Sequence, residues 1–187
     1  MGKIAHIAPA NQPFETYINA RAFWGSMVAI VEYSERNPGD QLFVWPLVVN
    51  EAFCLELHLK CLIRLSGGSP PQKNHKVKNL FQSLQATEQA KVESFLKDEL
   101  SSHPEAIEAG IAHDIHSILE RSQDQFVAGR YWHEGLKPSR DSAGIASNAG
   151  AGQLIKALNR RILELQPSWK DGVAKVKFQF ATLPPTT

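Results

Sequence analysis

The chain has 187 residues, of which 43% are hydrophobic and 21% charged; such proportions belong to an ordinary globular domain and exclude wholesale disorder, a collagen-like repeat and a long coiled coil. Lys+Arg 20 against Asp+Glu 19 leaves a formal charge of +1, so no global field selects a nucleic acid and any basic site must be local. The apolar stretch Trp24 to Val31 is too short to cross a bilayer, and MGKIAHIAPA lacks the apolar segment of a secretory signal, so a cytoplasmic protein with no membrane partner is expected.

Residues 1–13, with Pro9 and Pro13, read as a flexible N-terminal arm, residues 14–166 as the helical domain and residues 167–187 as a tail. From Glu15 to Arg36, apolar residues recur at three- and four-residue steps (Tyr17, Phe23, Trp24, Met27, Ile30, Val31), and Asn37-Pro38-Gly39 stops this first helix. A second helix starts near Pro46 and ends at Gly67-Gly68. Its apolar residues cover most of its circumference, which makes it the central helix, and the polar line Glu56, Lys60, Arg64 runs along it at four-residue spacing. His58 points away from that line. Cys54 and Cys61 lie seven apart on this helix, about 10.5 Å along the axis, so both are expected as buried, reduced thiols.

Asn74 is placed to cap a short helix from His75 to Leu84, with Val77, Leu80, Phe81 and Leu84 on one face. An amphipathic helix follows from Glu88 to Leu100. Pro104 opens a long fifth helix through Ile107, Ile111, Ile115, Ile118 and Phe126 toward Glu134. Residues 135–152, rich in Gly, Ser and Ala, read as a mobile loop ahead of a sixth helix from Gln153 to Leu165. The tail alternates Val176, Phe178 and Phe180 with Lys175, Lys177 and Gln179, a strand-like period of two. The expected fold is all-α: an antiparallel bundle of five to six helices with a short strand-like tail.

Four groups could carry chemistry. Arg130 and His133, three apart near a helix end with Tyr131 and Glu134 beside them, could address one ligand together. A guanidinium holds a phosphate by two parallel donors and an imidazole moves protons near neutral pH, the minimum for metal-free cleavage of RNA through its own 2′-hydroxyl; the same pair also suits a solvated helix end. Glu56, Lys60 and His75 read either as an internal ion pair that fixes helix docking or as the floor of an anion pocket that Lys73, Lys76 and Lys78 would rim. His113 and His116 have a spacing open to a metal but no companions at ligand spacing, so no metal and no cofactor is assigned. Gly150-Ala151-Gly152 lacks the strand, glycine pattern and lysine of a phosphate cradle and reads as a flexible linker.

The run NEAFCLELHLKCLIRLSGG, then NHKVKNLFQSL and later FVAGRYWHE, resembles the HEPN domain family over about residues 47–84 and 126–134. In this resemblance Glu56, Lys60 and His75, with Val77 and Leu80, fill the positions of an acid four before a lysine and of a His opening the next helix. It implies a helical homodimer, a setting of bacterial toxins, phage defence or RNA processing, and an antitoxin or nucleotidyltransferase-like partner. Many members are metal-independent endoribonucleases with four to six residues between an Arg and a following His; here only two residues separate Arg130 from His133, so the chain resembles a branch without that motif. The expectation is an RNA- or nucleotide-binding protein with Lys60, His75, Lys76, Tyr131 and Glu134 at the ligand. An endoribonuclease using Arg130 and His133, and a non-catalytic scaffolding module ordered by Glu56 and Lys60, are the alternatives.

Overall fold

The computed structural model describes residues 12–38, 44–70, 75–102, 114–123 and 150–170. The described residues form an all-α bundle of six helices: α1 (Gln12–Arg36), α2 (Val44–Leu65), α3 (Val77–Gln82), α4 (Ala86–Ser101), α5 (Ile115–Gln123) and α6 (Ala151–Leu165). Among them no helix is long and apolar enough to cross a membrane.

The apolar circumference of α2 makes it the hub. Leu55, Leu59, Cys61 and Leu62 are fully buried, and α1, α3 and α6 all pack on it. At roughly 1.5–3 kcal/mol for each large apolar side chain removed from water, this one helix anchors much of the core. α1 and α2 run antiparallel, because contacts climb one helix as they descend the other. The Cys61 thiol donates to the Pro13 carbonyl at 3.4 Å and the Cys54 thiol to the Ala20 carbonyl at 3.4 Å, while Phe23 stacks on Phe53 at 5.0 Å between centroids. Both cysteines are buried and free, as their spacing predicts, and burial pushes the Cys61 thiol up to about 12 and the Cys54 thiol higher still, so neither is a nucleophile at neutral pH.

The end of α2 is set by glycine chemistry. Gly67 sits at φ +79°, a left-handed conformation that costs only glycine little. There the Gly68 amide reaches back to the Ile63 carbonyl at 2.9 Å and the Gly67 amide to Arg64 at 3.1 Å, closing the helix. α3 buries Val77, Leu80 and Phe81, with Leu84 just beyond, the face the sequence predicts. Its N-cap is Lys76, so the helix starts two residues later than expected, and Asn74, the expected cap, lies outside the described residues.

Three other boundaries move. α1 starts at Gln12, so Gln12 and Pro13 belong to its first turn and not to an arm; proline suits that turn because its missing amide would have had no intrahelical partner. α6 starts at Ala151, so residues 150–152 are not a linker. Gly150 is its N-cap and is buried, and a Cβ there would collide with Ile118 Cγ1 and Cδ1; glycine is required for close approach of α6 to α5. Past α6, Trp169 folds back on α1, 5.2 Å from Phe14 and 5.3 Å from Tyr17 between ring centroids, so the first residues of the expected tail are docked. The strand-like segment 173–183 lies outside the described residues, as does the fifth helix except for α5.

α4 and α6 are joined at their polar edges. Arg161 holds Glu88 with two hydrogen bonds, both 2.7 Å, and this pairing keeps the Glu88 carboxyl below the usual range. Arg160 pairs with Asp98 at 3.1 Å and lies 4.0 Å above the Phe95 ring.

Candidate functional site

Two polar regions flank α2, and the sequence reading anticipates one of them. On the α3 side, the four-residue spacing along α2 brings Lys60 Nζ to 2.5 Å from Glu56 Oε1. His75, just ahead of α3, places Nδ1 3.1 and 3.2 Å from the two oxygens of the same carboxylate. The Glu56 side chain is 6% exposed, Lys60 14% and His75 57%. A carboxylate this buried needs partners, because leaving a buried charge unpaired costs several kcal/mol; both of its oxygens are engaged. Arg64 leaves the expected polar line and reaches α1, donating to Thr16 Oγ1 at 3.0 Å. Lys76 is exposed at the α3 N-cap, and Lys78 pairs with Glu120 of α5 at 3.3 Å. The cluster ties α2 to α3 and has its charges answered from within the chain.

Arg130, Tyr131, His133 and Glu134 lie outside the described residues, as do Lys73 and His113. His116 is exposed on α5. Among the described residues no group of three or more His, Cys, Asp or Glu could hold a metal.

The second region lies between α1 and α6. Tyr17, Arg21 and Trp24 follow one another at four and three residues along α1, so they share one face. Lys156, Asn159 and Leu163 do the same on α6. The two stripes are tied together at one point, where the Tyr17 hydroxyl donates to Asn159 Oδ1 at 2.9 Å. Beyond that tie they diverge around a cleft of about 470 Å³, whose walls include Arg21, Trp24, Lys156, Asn159 and Leu163; Glu99 of α4 and Lys170 complete it. The docking of Trp169 on Phe14 and Tyr17 brings Lys170 there.

Charge is not balanced in this cleft. Arg160 and Glu164 also border it, but Arg160 is held by Asp98 and Glu164 by Arg161 at 3.1 Å. Among the described residues, the side chains of Arg21, Lys156, Lys170 and Glu99 make no hydrogen bond or ion pair. Three uncommitted cations thus face one uncommitted carboxylate.

Behind the Tyr17–Asn159 tie lies His58, fully buried in α2, where the sequence reading had only a histidine off the polar line. Its Nδ1 is 2.8 Å from the Cys54 carbonyl, to which the neutral ring donates, and Tyr17 meets the ring edge-on at 6.2 Å. Nε2 has no hydrogen-bond partner among the described residues; Asn159 is near enough to act on the ring's titration but outside bonding geometry. Burial is the main force that lowers the imidazole to about 4, with the Arg21 charge acting in the same direction and the Cys54 carbonyl and Asn159 opposing it. The ring is therefore neutral at physiological pH.

The sequence reading missed Arg21, Lys156, Asn159 and Lys170 as site residues. The available signal was the run of same-face polar residues on the first and last helices, but nothing in either pattern says that the two faces oppose each other. Compared with protein-family models, curated proteins and solved structures, the chain has no match.

Proposed function

We propose that this chain is a HEPN-like helical module that binds a nucleotide, free or as part of RNA, in the cleft between α1 and α6. The observation that carries the reading is the imbalance there: Arg21, Lys156 and Lys170 have no counter-charge of their own beyond Glu99, and they stand beside the Trp24 ring. Guanidinium and ammonium groups hold phosphate oxygens by charge-assisted hydrogen bonds, and an indole offers a stacking platform to any base. A volume of about 470 Å³ lies within the range of small-molecule sites. The HEPN resemblance supports the ligand class, and the homodimer it implies, together with the cytoplasmic location expected from the sequence, belongs to the same proposal.

The test is calorimetric titration of the full chain with adenosine monophosphate and with a short single-stranded RNA, each at low and high salt. A heat that weakens with salt and disappears in Lys156→Gln is expected, since phosphate contacts release counterions. Silence with both ligands at millimolar concentration would end the nucleotide reading.

A further inference from the structure

The reading above leaves open which phosphate the cleft takes. Resting on that reading, we infer that the cleft selects a nucleoside phosphomonoester, either a free mononucleotide or the phosphate-bearing end of an RNA, over an internal phosphodiester. The argument is one of charge and size. Arg21, Lys156 and Lys170 against Glu99 leave two positive charges unanswered among the described residues. A phosphodiester brings one negative charge; a phosphomonoester brings nearly two at pH 7, because its second proton leaves with a pKa of about 6. Only the monoester neutralises the site.

The geometry limits the rest of the ligand. Trp24, half-buried against the core, and Leu163 are the apolar groups that border the cleft, which leaves room for one base at most beside them. The Tyr17–Asn159 bond ties α1 to α6 beside the cleft, and the preference for a monoester rests on charge. Asn159 is spent on the fold: its Oδ1 accepts from Tyr17 and its side chain acts on the buried His58 ring, so the phosphate is left to the cations. Arg160 and Glu164 contribute no free charge, as each is held by a neighbour outside the cleft.

The experiment uses the full chain and compares adenosine monophosphate, cyclic 3′,5′-adenosine monophosphate and adenosine by calorimetry at pH 5 and pH 7.5. The cyclic compound has the same base and sugar but a monoanionic diester. Expected are binding of the monophosphate about tenfold tighter than of the cyclic diester at pH 7.5, from one further charge in a partly solvated site, and a smaller ratio at pH 5. The groups facing the phosphate are Arg21 from α1, Glu99 from α4, Lys156, Arg160 and Glu164 from α6, and Lys170; the cyclic compound controls for their titration. In Lys156→Gln, checked for an unchanged melting temperature, the ratio should fall toward one.

Equal affinity for monophosphate and cyclic diester overturns the inference while leaving the nucleotide reading intact, whereas no binding of any of the three overturns both. A 5′-phosphorylated diadenosine against its unphosphorylated form separates the two sources. Tight binding of the phosphorylated form assigns the site to an RNA end, and its exclusion with retention of the monophosphate assigns it to a free nucleotide. Tighter binding of the unphosphorylated dinucleotide refutes the preference outright.

Discussion

The two polar regions on either side of α2 hold similar residue types and behave differently. In the cluster of Glu56, Lys60 and His75, one buried carboxylate is met by an ammonium and an imidazole, so its charge is answered within the fold. In the cleft of Arg21, Lys156 and Lys170, three cations are brought near each other by three different segments and are left unanswered except by Glu99. Folding alone drives the first arrangement, since a buried charge without partners is costly. It opposes the second, because like charges repel and gain nothing from the bundle. The anionic ligand proposed above would answer those charges, and the contrast between the two regions is what the following measurements probe.

The contrast breaks most sharply at Glu56. Replacing it by alanine leaves the mostly buried Lys60 ammonium without its partner, and a loss of about 3 kcal/mol or more in urea unfolding is expected. Lys60→Met in the Glu56→Leu background should recover most of that loss, because a pair replaced by apolar residues no longer strands a charge. A deficit below about 1 kcal/mol in Glu56→Ala would mean that solvent reaches the pair and that the two regions differ less than their geometry says.

His58 sharpens the comparison on the cleft side. The unfolded chain takes up a proton on this ring below its ordinary pKa of 6.5, whereas the folded chain resists until about 4. Its contribution is therefore complete above pH 6.5 and declines as pH falls toward 4, by up to about 3 kcal/mol. Unfolding curves between pH 7 and pH 4.5 should show this slope, and His58→Leu should flatten it. An identical slope in the variant would place the titration elsewhere.

The smallest expected effect is the most telling for function. Arg21→Gln and Lys156→Gln should change stability by no more than about 0.5 kcal/mol, the range of surface substitutions that remove no partner, while each weakens anion binding. A loss near that of Glu56→Ala would reveal a structural duty for these cations and make the two regions alike.

Much of the bundle was legible in the residues. The run around Leu55, Leu59 and Leu62 announced a hub, the four-residue spacing of Glu56 and Lys60 announced their pairing, and Val77, Leu80 and Phe81 announced the face α3 buries. Helix ends were less legible where they depend on neighbours. Gly150 looks like part of a glycine-rich linker until Ile118 is found in the space its Cβ would need. The pairing of His75 with Glu56 was readable only as one of two alternatives, since the two are 19 positions apart with a turn between them.

Periodicity, the Gly67-Gly68 stop and the apolar content of α2 were settled by the sequence itself, because each depends on residues within a turn or two of one another. The tertiary structure alone decided that Tyr17 meets Asn159 across 142 positions, that Trp169 carries Lys170 back to α1, and that His58 is sealed in a place where it stays neutral. These outcomes depend on which faces α2 leaves for its neighbours to occupy. A pattern along one helix specifies a face but not what will stand opposite it.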